Sequence, residues 1–230
     1  MKTLGLIGGM SWESTVSYYR LINQGIKSKL GGLHSGKIIL NSVDFAQIEA
    51  FQQSGDWQKS AEVLKSSALS LEAAGAQCIM ICTNTMHKVA DEVASVVALP
   101  LLHIADATAK VICKQKLNKV ALLGTRFTMA DTFYIERLEQ HGIEVLVPSE
   151  QDQIIIHDII YQQLCVGDIR PHSKQLYLSV IAHLEARGAQ GVVLGCTEIG
   201  LLIQQEDTNI PLFDTAEIHA NTAVEFALSD

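Results

Sequence analysis

Short unbroken apolar runs alternate along this chain with longer stretches in which apolar residues return every third or fourth position. Leu4-Gly5-Leu6-Ile7-Gly8 is such a run, closed by Gly9, and it reads as a strand covered on both faces, as in a parallel sheet. A helical pattern follows from Trp12 to about Leu30, with Ser11 as its candidate N-cap. Lys37 to Val43 predicts a second strand, ending at Asp44, and Phe45 to Gln53 a short helix broken at Ser54-Gly55. From Trp57 to Ala74 the residues Ala61, Leu64, Ala68 and Leu71 recur at helical spacing and stop at Gly75, a C-terminal glycine signal. Ile79-Met80-Ile81 then forms a third strand that runs into Cys82 and turns into a helix expected from about Thr85 to Val97. Leu99 to Asp106 predicts a short strand entering another helix.

The same plan then runs a second time. Strand Lys119 to Gly124 is followed by a helix from about Met129 to Gln140, strand Ile143 to Val147, helices at about Ile154 to Cys165 and Ser173 to Arg187, and a strand leading to Cys196. Three segments match in the same order: Leu6-Ile7-Gly8-Gly9-Met10 with Leu122-Leu123-Gly124-Thr125-Arg126, Gly75-Ala76-Gln77 through Cys82-Thr83 with Gly188-Ala189-Gln190 through Cys196-Thr197, and Leu99 to Asp106 with Ile210 to Glu217. A repeat at about half the chain length implies two similar lobes. The expected fold is therefore α/β, with two pseudo-symmetric lobes, each a parallel sheet flanked by helices, and an active site in the cleft between them. The approximate boundaries are residues 1–100 plus 210–230 for the N-terminal lobe and 101–209 for the C-terminal lobe.

Composition narrows the functions available. The chain has 17 basic and 25 acidic residues, a net charge of −8, and its basic residues are scattered, which argues against a surface that tracks nucleic-acid phosphates. The N-terminal apolar run is too short for a signal peptide, and no run reaches the roughly 18 apolar residues of a membrane span. Five cysteines without a secretory signal read as reduced thiols in the cytoplasm.

Gly5-x-x-Gly8-Gly9 lacks the dinucleotide-binding spacing and no phosphate-binding loop is present. Among the eight histidines there is no zinc-type pair, no metal-ligand cluster appears, and no lysine lies beside Cys82 or Cys196, so no cofactor and no metal is expected. His87 and His103 are the histidines near the predicted sheet edge. A cysteine on an apolar strand is ordinarily buried and inert, and Cys78, Cys113 and Cys165 are read in that way. Cys78 and Cys82 lie about 13 Å apart at strand rise, too far to share a zinc ion. Cys82 and Cys196 differ because they occupy one structural address twice, at a strand end where a following helix is expected to lower the thiol pKa from about 8.5. Glu198 and Asp44 are candidate carboxylates near a thiol.

Two thiols on opposite sides of a narrow cleft suit one chemistry well. Inverting the Cα of a free amino acid without a cofactor needs a base on one face and a proton donor on the other, and a thiolate and a thiol exchange these roles between enantiomers. Helix-start N–H groups with Asn84, Thr85 and Thr197 would hold the carboxylate.

Gly8-Gly9-Met10-Ser11-Trp12-Glu13-Ser14-Thr15, Cys82-Thr83-Asn84-Thr85-Met86-His87 and Gly195-Cys196-Thr197-Glu198 resemble the signature segments of the aspartate/glutamate racemase family, over essentially the whole chain. The resemblance implies a cofactor-independent amino-acid racemase, commonly a homodimer, with Cys82 and Cys196 as the acid/base pair. It further implies that Met10, Gln52, Thr83, Asn84, Thr85 and Thr197 contact substrate, and Thr125 and Glu198 complete the candidate set. Family members selective for acidic substrates resemble one another in carrying basic residues near the cleft mouth, whereas this chain offers Gln52 and no Lys or Arg in Gln153 to Ile156. A range beyond aspartate and glutamate is expected. Two other readings stay open: a related cysteine enzyme of the hydantoin racemase, maleate isomerase or malonate decarboxylase type, and a bilobed amino-acid sensor without activity.

Overall fold

The computed structural model describes residues 1–230. The chain divides into two units, Met1–Ile104 with His219–Asp230 and Ala105–Ile218. The first division lies near the expected 100, and the second lies beyond 210, where Leu212–Asp214 pairs into the second unit's sheet. No helix is long and apolar enough to cross a membrane.

In the first unit, β1 (Leu4–Gly8), β2 (Ile38–Ser42) and β3 (Cys78–Ile81) form a parallel sheet in the order β2-β1-β3. Every residue of β1 and β3 is buried, as their unbroken apolar runs require of a sheet covered on both faces. Helix α1 (Trp12–Leu30) starts at Ser11, whose side chain accepts from the Ser14 N–H, and turns Tyr18, Ile22 and Ile26 inward at a spacing of four. Helix α2 (Phe45–Ser54) is capped by Asp44 and ends at the left-handed Gly55; α3 (Trp57–Ala73) is capped by Asp56. Ala61, Leu64, Ala68 and Leu71 of α3 join Ile7, Ile79 and Ile81 in one core. Chain ends close the unit: the Lys2 N–H donates to Ala227 O at 2.8 Å and its ammonium to Asp230 O at 2.7 Å.

The second unit holds β4 (Lys119–Gly124), β5 (Glu144–Leu146), β6 (Val192–Gly195) and β7 (Leu212–Asp214), all parallel in the order β5-β4-β6-β7. Strands β5-β4-β6 repeat the order of β2-β1-β3, the topological counterpart of the sequence repeat. Helices α8 (Glu150–Gln162) and α9 (Pro171–Ala186) pack Ile156, Ile160, Tyr177, Ile181 and Leu184 against Ala121, Leu123, Val192 and Leu194.

Several elements differ from expectation for local reasons. The segment after Cys82 opens as a 3-10 helix, Thr85–Val89, and continues only as the short α4 (Ala90–Ala94); the β-branched Thr83, Thr85 and Val89 lower its helix propensity. The strand expected at Leu99 reduces to one parallel bridge, Ile79 with Leu101, beside Pro100, which has no N–H to extend the ladder. Helix α5 (Ile104–Lys114) follows. The helix expected from Met129 splits into α6 (Arg126–Ala130) and α7 (Thr132–Glu139) at Asp131, whose backbone is extended. Past β6 come the four-residue α10 (Ile199–Leu202) and finally α11 (Thr215–Leu228).

Gly9 has φ +92°, and a Cβ there would press on the Val43 backbone. Gly142 also has a positive φ, +78°, but open space around it. Gly9→Ala is therefore expected to destabilise the protein by roughly 3 kcal/mol or more, and Gly142→Ala by only about 1–2 kcal/mol, the strain of an L residue in the left-handed region. Urea denaturation midpoints of the two variants test the difference.

Candidate active site

In the first unit Cys82 is the first residue beyond β3, level with the end of β1, where its N–H donates to Ile7 O at 2.9 Å. The Ser14 hydroxyl donates to Cys82 O at 3.0 Å, so the backbone at the cysteine is held from both neighbouring elements. Met10, Asn84 and Thr85 are buried around this strand end, whereas Thr83 is part-exposed. Gln52 is buried, and its amide N–H donates to the Met86 sulfur at 3.1 Å. Asp44 is occupied as the cap of α2, its carboxylate accepting the Ala46 N–H at 3.2 Å.

In the second unit Cys196 is likewise the first residue beyond β6. Gly124 is paired with Gly195, so Thr125 and Cys196 each follow a strand end at the same level. The Thr125 side chain caps α6 and lies 3.2 Å from the Thr128 hydroxyl. Glu198 is buried, and one of its carboxylate oxygens accepts both the Cys196 S–H at 3.0 Å and the Thr197 hydroxyl at 2.7 Å. Thr197, like Thr83 in the first unit, is part-exposed.

The expectation of lowered thiol pKa values is overturned. Burial pushes the Cys82 thiol far above its ordinary range. Burial does the same to Cys196, and the neighbouring Glu198 carboxylate raises it further. The helices that were to stabilise a thiolate are a five-residue 3-10 helix and a four-residue α-helix, too short to offset the loss of solvation. Cys78, fully buried in β3, is pushed up to about 11 for the same reason. Cys113 is exposed rather than buried, and Cys165 is half-buried. No three His, Cys, Asp or Glu side chains are grouped so as to hold a metal ion.

Near Cys82 lie two buried histidines, His87 and His219, and a part-exposed one, His103, that spacing in the sequence does not bring together. His87 is 3% exposed; its Nε2 accepts the Ile104 N–H at 3.2 Å, and its Nδ1 lies 2.8 Å from Thr83 O. With Nε2 accepting, the ring is neutral and the proton is on Nδ1, donated to Thr83. The ring of His219 lies 5.7 Å from that of His87; its Nε2 donates to Leu102 O at 2.6 Å and its Nδ1 accepts the Tyr18 hydroxyl at 2.9 Å. Burial lowers the pKa of His87 well below the ordinary value and that of His219 to about 4. His103 packs on His87 with ring centroids 4.6 Å apart. Ser14 lies in the segment Gly8 to Thr15, but its bond to the Cys82 carbonyl has no pattern in the sequence, and Tyr18 and His219 stand 201 positions apart.

Comparison with known proteins bears on this arrangement. The family model for Asp/Glu/hydantoin racemases matches residues 7–223. A crystal structure from Yersinia pestis superposes with a TM-score of 0.94 at 56% identity, covering 100% of both chains. An aspartate racemase homologue from Pyrococcus horikoshii superposes with a TM-score of 0.88 at 37% identity, again over 100% of both chains. The broad specificity amino-acid racemase RacX of Bacillus subtilis is 25% identical over 166 residues, 70% of each protein. With a match that extends from β1 into α11, the chain belongs to the Asp/Glu/hydantoin racemase family.

Proposed function

We propose that the protein is a cofactor-independent amino-acid racemase in which Cys82 and Cys196 serve as the two acid/base groups. The observation that carries this reading is that in each unit the same strand of the same topology leads directly into a cysteine followed by threonine. Similarity to a broad specificity amino-acid racemase and to an aspartate racemase homologue supports an amino acid as substrate.

In the proposed reaction one sulfur, as thiolate, takes the Cα proton and becomes a thiol. The other thiol gives its proton to the opposite face of the same carbon and becomes the thiolate, so the enzyme ends each turnover with the roles exchanged. The pair titrates as one coupled unit. The Cα of an amino acid is a very weak acid, and a thiolate whose conjugate acid has a raised pKa is the stronger base toward it. Burial and Glu198 thus make the Cys196 thiolate scarce but strong. Thr83 and Thr197, part-exposed residues beside the two cysteines, and the neighbouring Asn84 and Thr85 are suited to the substrate carboxylate, on which charge grows in the transition state, Thr197 by turning its hydroxyl from Glu198 to the substrate. Gln52 offers an amide and no charge, which favours neutral as well as acidic side chains.

Cys82→Ala and Cys196→Ala should each lower racemisation by roughly 10³-fold or more, the scale of a lost general acid–base group, whereas Cys113→Ala stays active. Substrate recovered from deuterated water should carry deuterium at Cα. Near-normal turnover in either of the first two variants, measured by chiral chromatography, sinks the two-thiol mechanism.

The raised thiol pKa values give a signed pH dependence. Because the base must be a thiolate, kcat/KM should still climb above pH of about 8.5, where an ordinary thiol has half ionised. Glu198→Gln removes a negative charge beside Cys196, so its profile should move to lower pH. A profile unmoved or moved upward contradicts the role assigned to this carboxylate.

Substrate range follows from Gln52. At least one uncharged amino acid should be racemised with kcat/KM within roughly tenfold of that for aspartate or glutamate. A panel of L- and D-amino acids with one hydantoin measures this, and activity confined to aspartate and glutamate would refute it.

A further inference from the structure

Two buried histidines, His87 and His219, with part-exposed His103 packed on the first, stand near the candidate catalytic strand end, and the proton transfers just described use none of them. His87 joins two parts of the first unit that are separate in sequence. Its Nδ1–H holds the carbonyl of Thr83, the residue next to Cys82, and its Nε2 holds the N–H of Ile104, where α5 begins and the chain leaves this unit. Behind it, His219 and Tyr18 fix Leu102, two residues before Ile104. The ring therefore stands on a backed platform rather than on a free loop.

Peptide planarity turns this grip into a direction. The Thr83–Asn84 bond is trans, so with its C=O drawn onto His87 the N–H of Asn84 points to the opposite side of the same plane. We propose that His87 is a positioning residue: by holding the Thr83 carbonyl it sets the orientation of the peptide beside Cys82, aiming the Asn84 N–H at the substrate carboxylate and keeping the thiol in line with Cα. This rests on the racemase reading above, and on the Nδ1 side of the ring in particular. Both ring nitrogens of His87 and of His219 are engaged in hydrogen bonds, which leaves no nitrogen of either for a metal ion. A proton-transfer role for His87 would need one of those bonds to break.

The two nitrogens can be tested apart. Asparagine places an amide N–H near the position of Nδ1 and nothing at Nε2; glutamine reaches the position of Nε2 and leaves Nδ1 empty. His87→Asn should keep kcat/KM within a few-fold of wild type. His87→Gln and His87→Ala should lose roughly a hundredfold, with kcat falling as well as KM rising, the scale set by a displacement of about 1 Å in a reacting group. If asparagine and glutamine lose activity equally, or glutamine alone preserves it, the ring acts only as a packing or crossing element and the proposal fails.

A second readout keeps this independent of substrate. The rate at which Cys82 is alkylated by iodoacetamide, followed by mass spectrometry of the intact protein and its peptides, should rise about tenfold or more in His87→Gln and His87→Ala, where the segment opens locally, and stay near wild type in His87→Asn. If wild type racemises nothing while this pattern holds, the racemase reading falls and the positioning of Cys82 stands. If activity is present but Cys82 is alkylated equally slowly in every variant, the positioning role is wrong and the racemase reading is untouched.

Discussion

Each unit depends on the parallel pairing between its central strand and the strand that carries its cysteine. Ile7 lies against Ile81 and Gly124 against Gly195, and because parallel hydrogen bonds are evenly spaced, both members of each pair end at one level. The residues just beyond are then forced together: Gly8 and Gly9 with Cys82, Thr125 with Cys196. Side-chain volume is what that level cannot accommodate. A Cβ on Gly195 would meet Leu123 O at 2.9 Å, and one on Gly8 would meet Thr15 at 2.6 Å. Slipping either pair by one residue would turn the cysteine to the other face of its sheet.

The same close packing shapes the chemistry. Desolvation is the leading influence on Cys78, Cys82 and Cys196 alike, so burial alone does not distinguish the two candidate cysteines from Cys78. What separates Cys196 is a buried carboxylate that accepts its proton in a hydrogen bond, and what separates Cys82 is its place at a strand end with part-exposed Thr83 beside it. Burial disfavours the charged form of both thiols, and Glu198 disfavours it further at Cys196. A thiol held in its neutral form reacts more slowly with oxidants and alkylating agents.

Periodicity carried most of the fold. The apolar runs at Leu4, Ile79, Lys119 and Val192 became strands because a doubly covered parallel sheet needs continuous hydrophobicity, and Ser11 marks a real helix start, whereas the helix expected from about Ile154 begins earlier, at Glu150 after the cap Ser149. The internal repeat located both cysteines. Local geometry was less legible: nothing in the pattern between Thr85 and Val97 separates a 3-10 helix from an α-helix, and Asp131 looks like an ordinary helical position until its backbone is seen extended. Thiol pKa values are not legible in the sequence, because helix starts can be read from it but the solvent lost on burial cannot. Contacts such as Tyr18 with His219 join the two ends of the chain, and no local pattern encodes them.

That closure by the chain ends has a consequence for how the protein is made. The second unit is one continuous stretch, Ala105–Ile218, whereas the first needs His219–Asp230 as well. During synthesis the second unit can finish as soon as its own sequence has emerged, because domains fold as units. The first, though translated earlier, must wait for residues 219–230 to supply His219 against Leu102 and Ala227 against Lys2. The half of the protein that emerges first from the ribosome is thus completed last, and a chain stalled near residue 218 would hold a finished second unit attached to an unfinished first one.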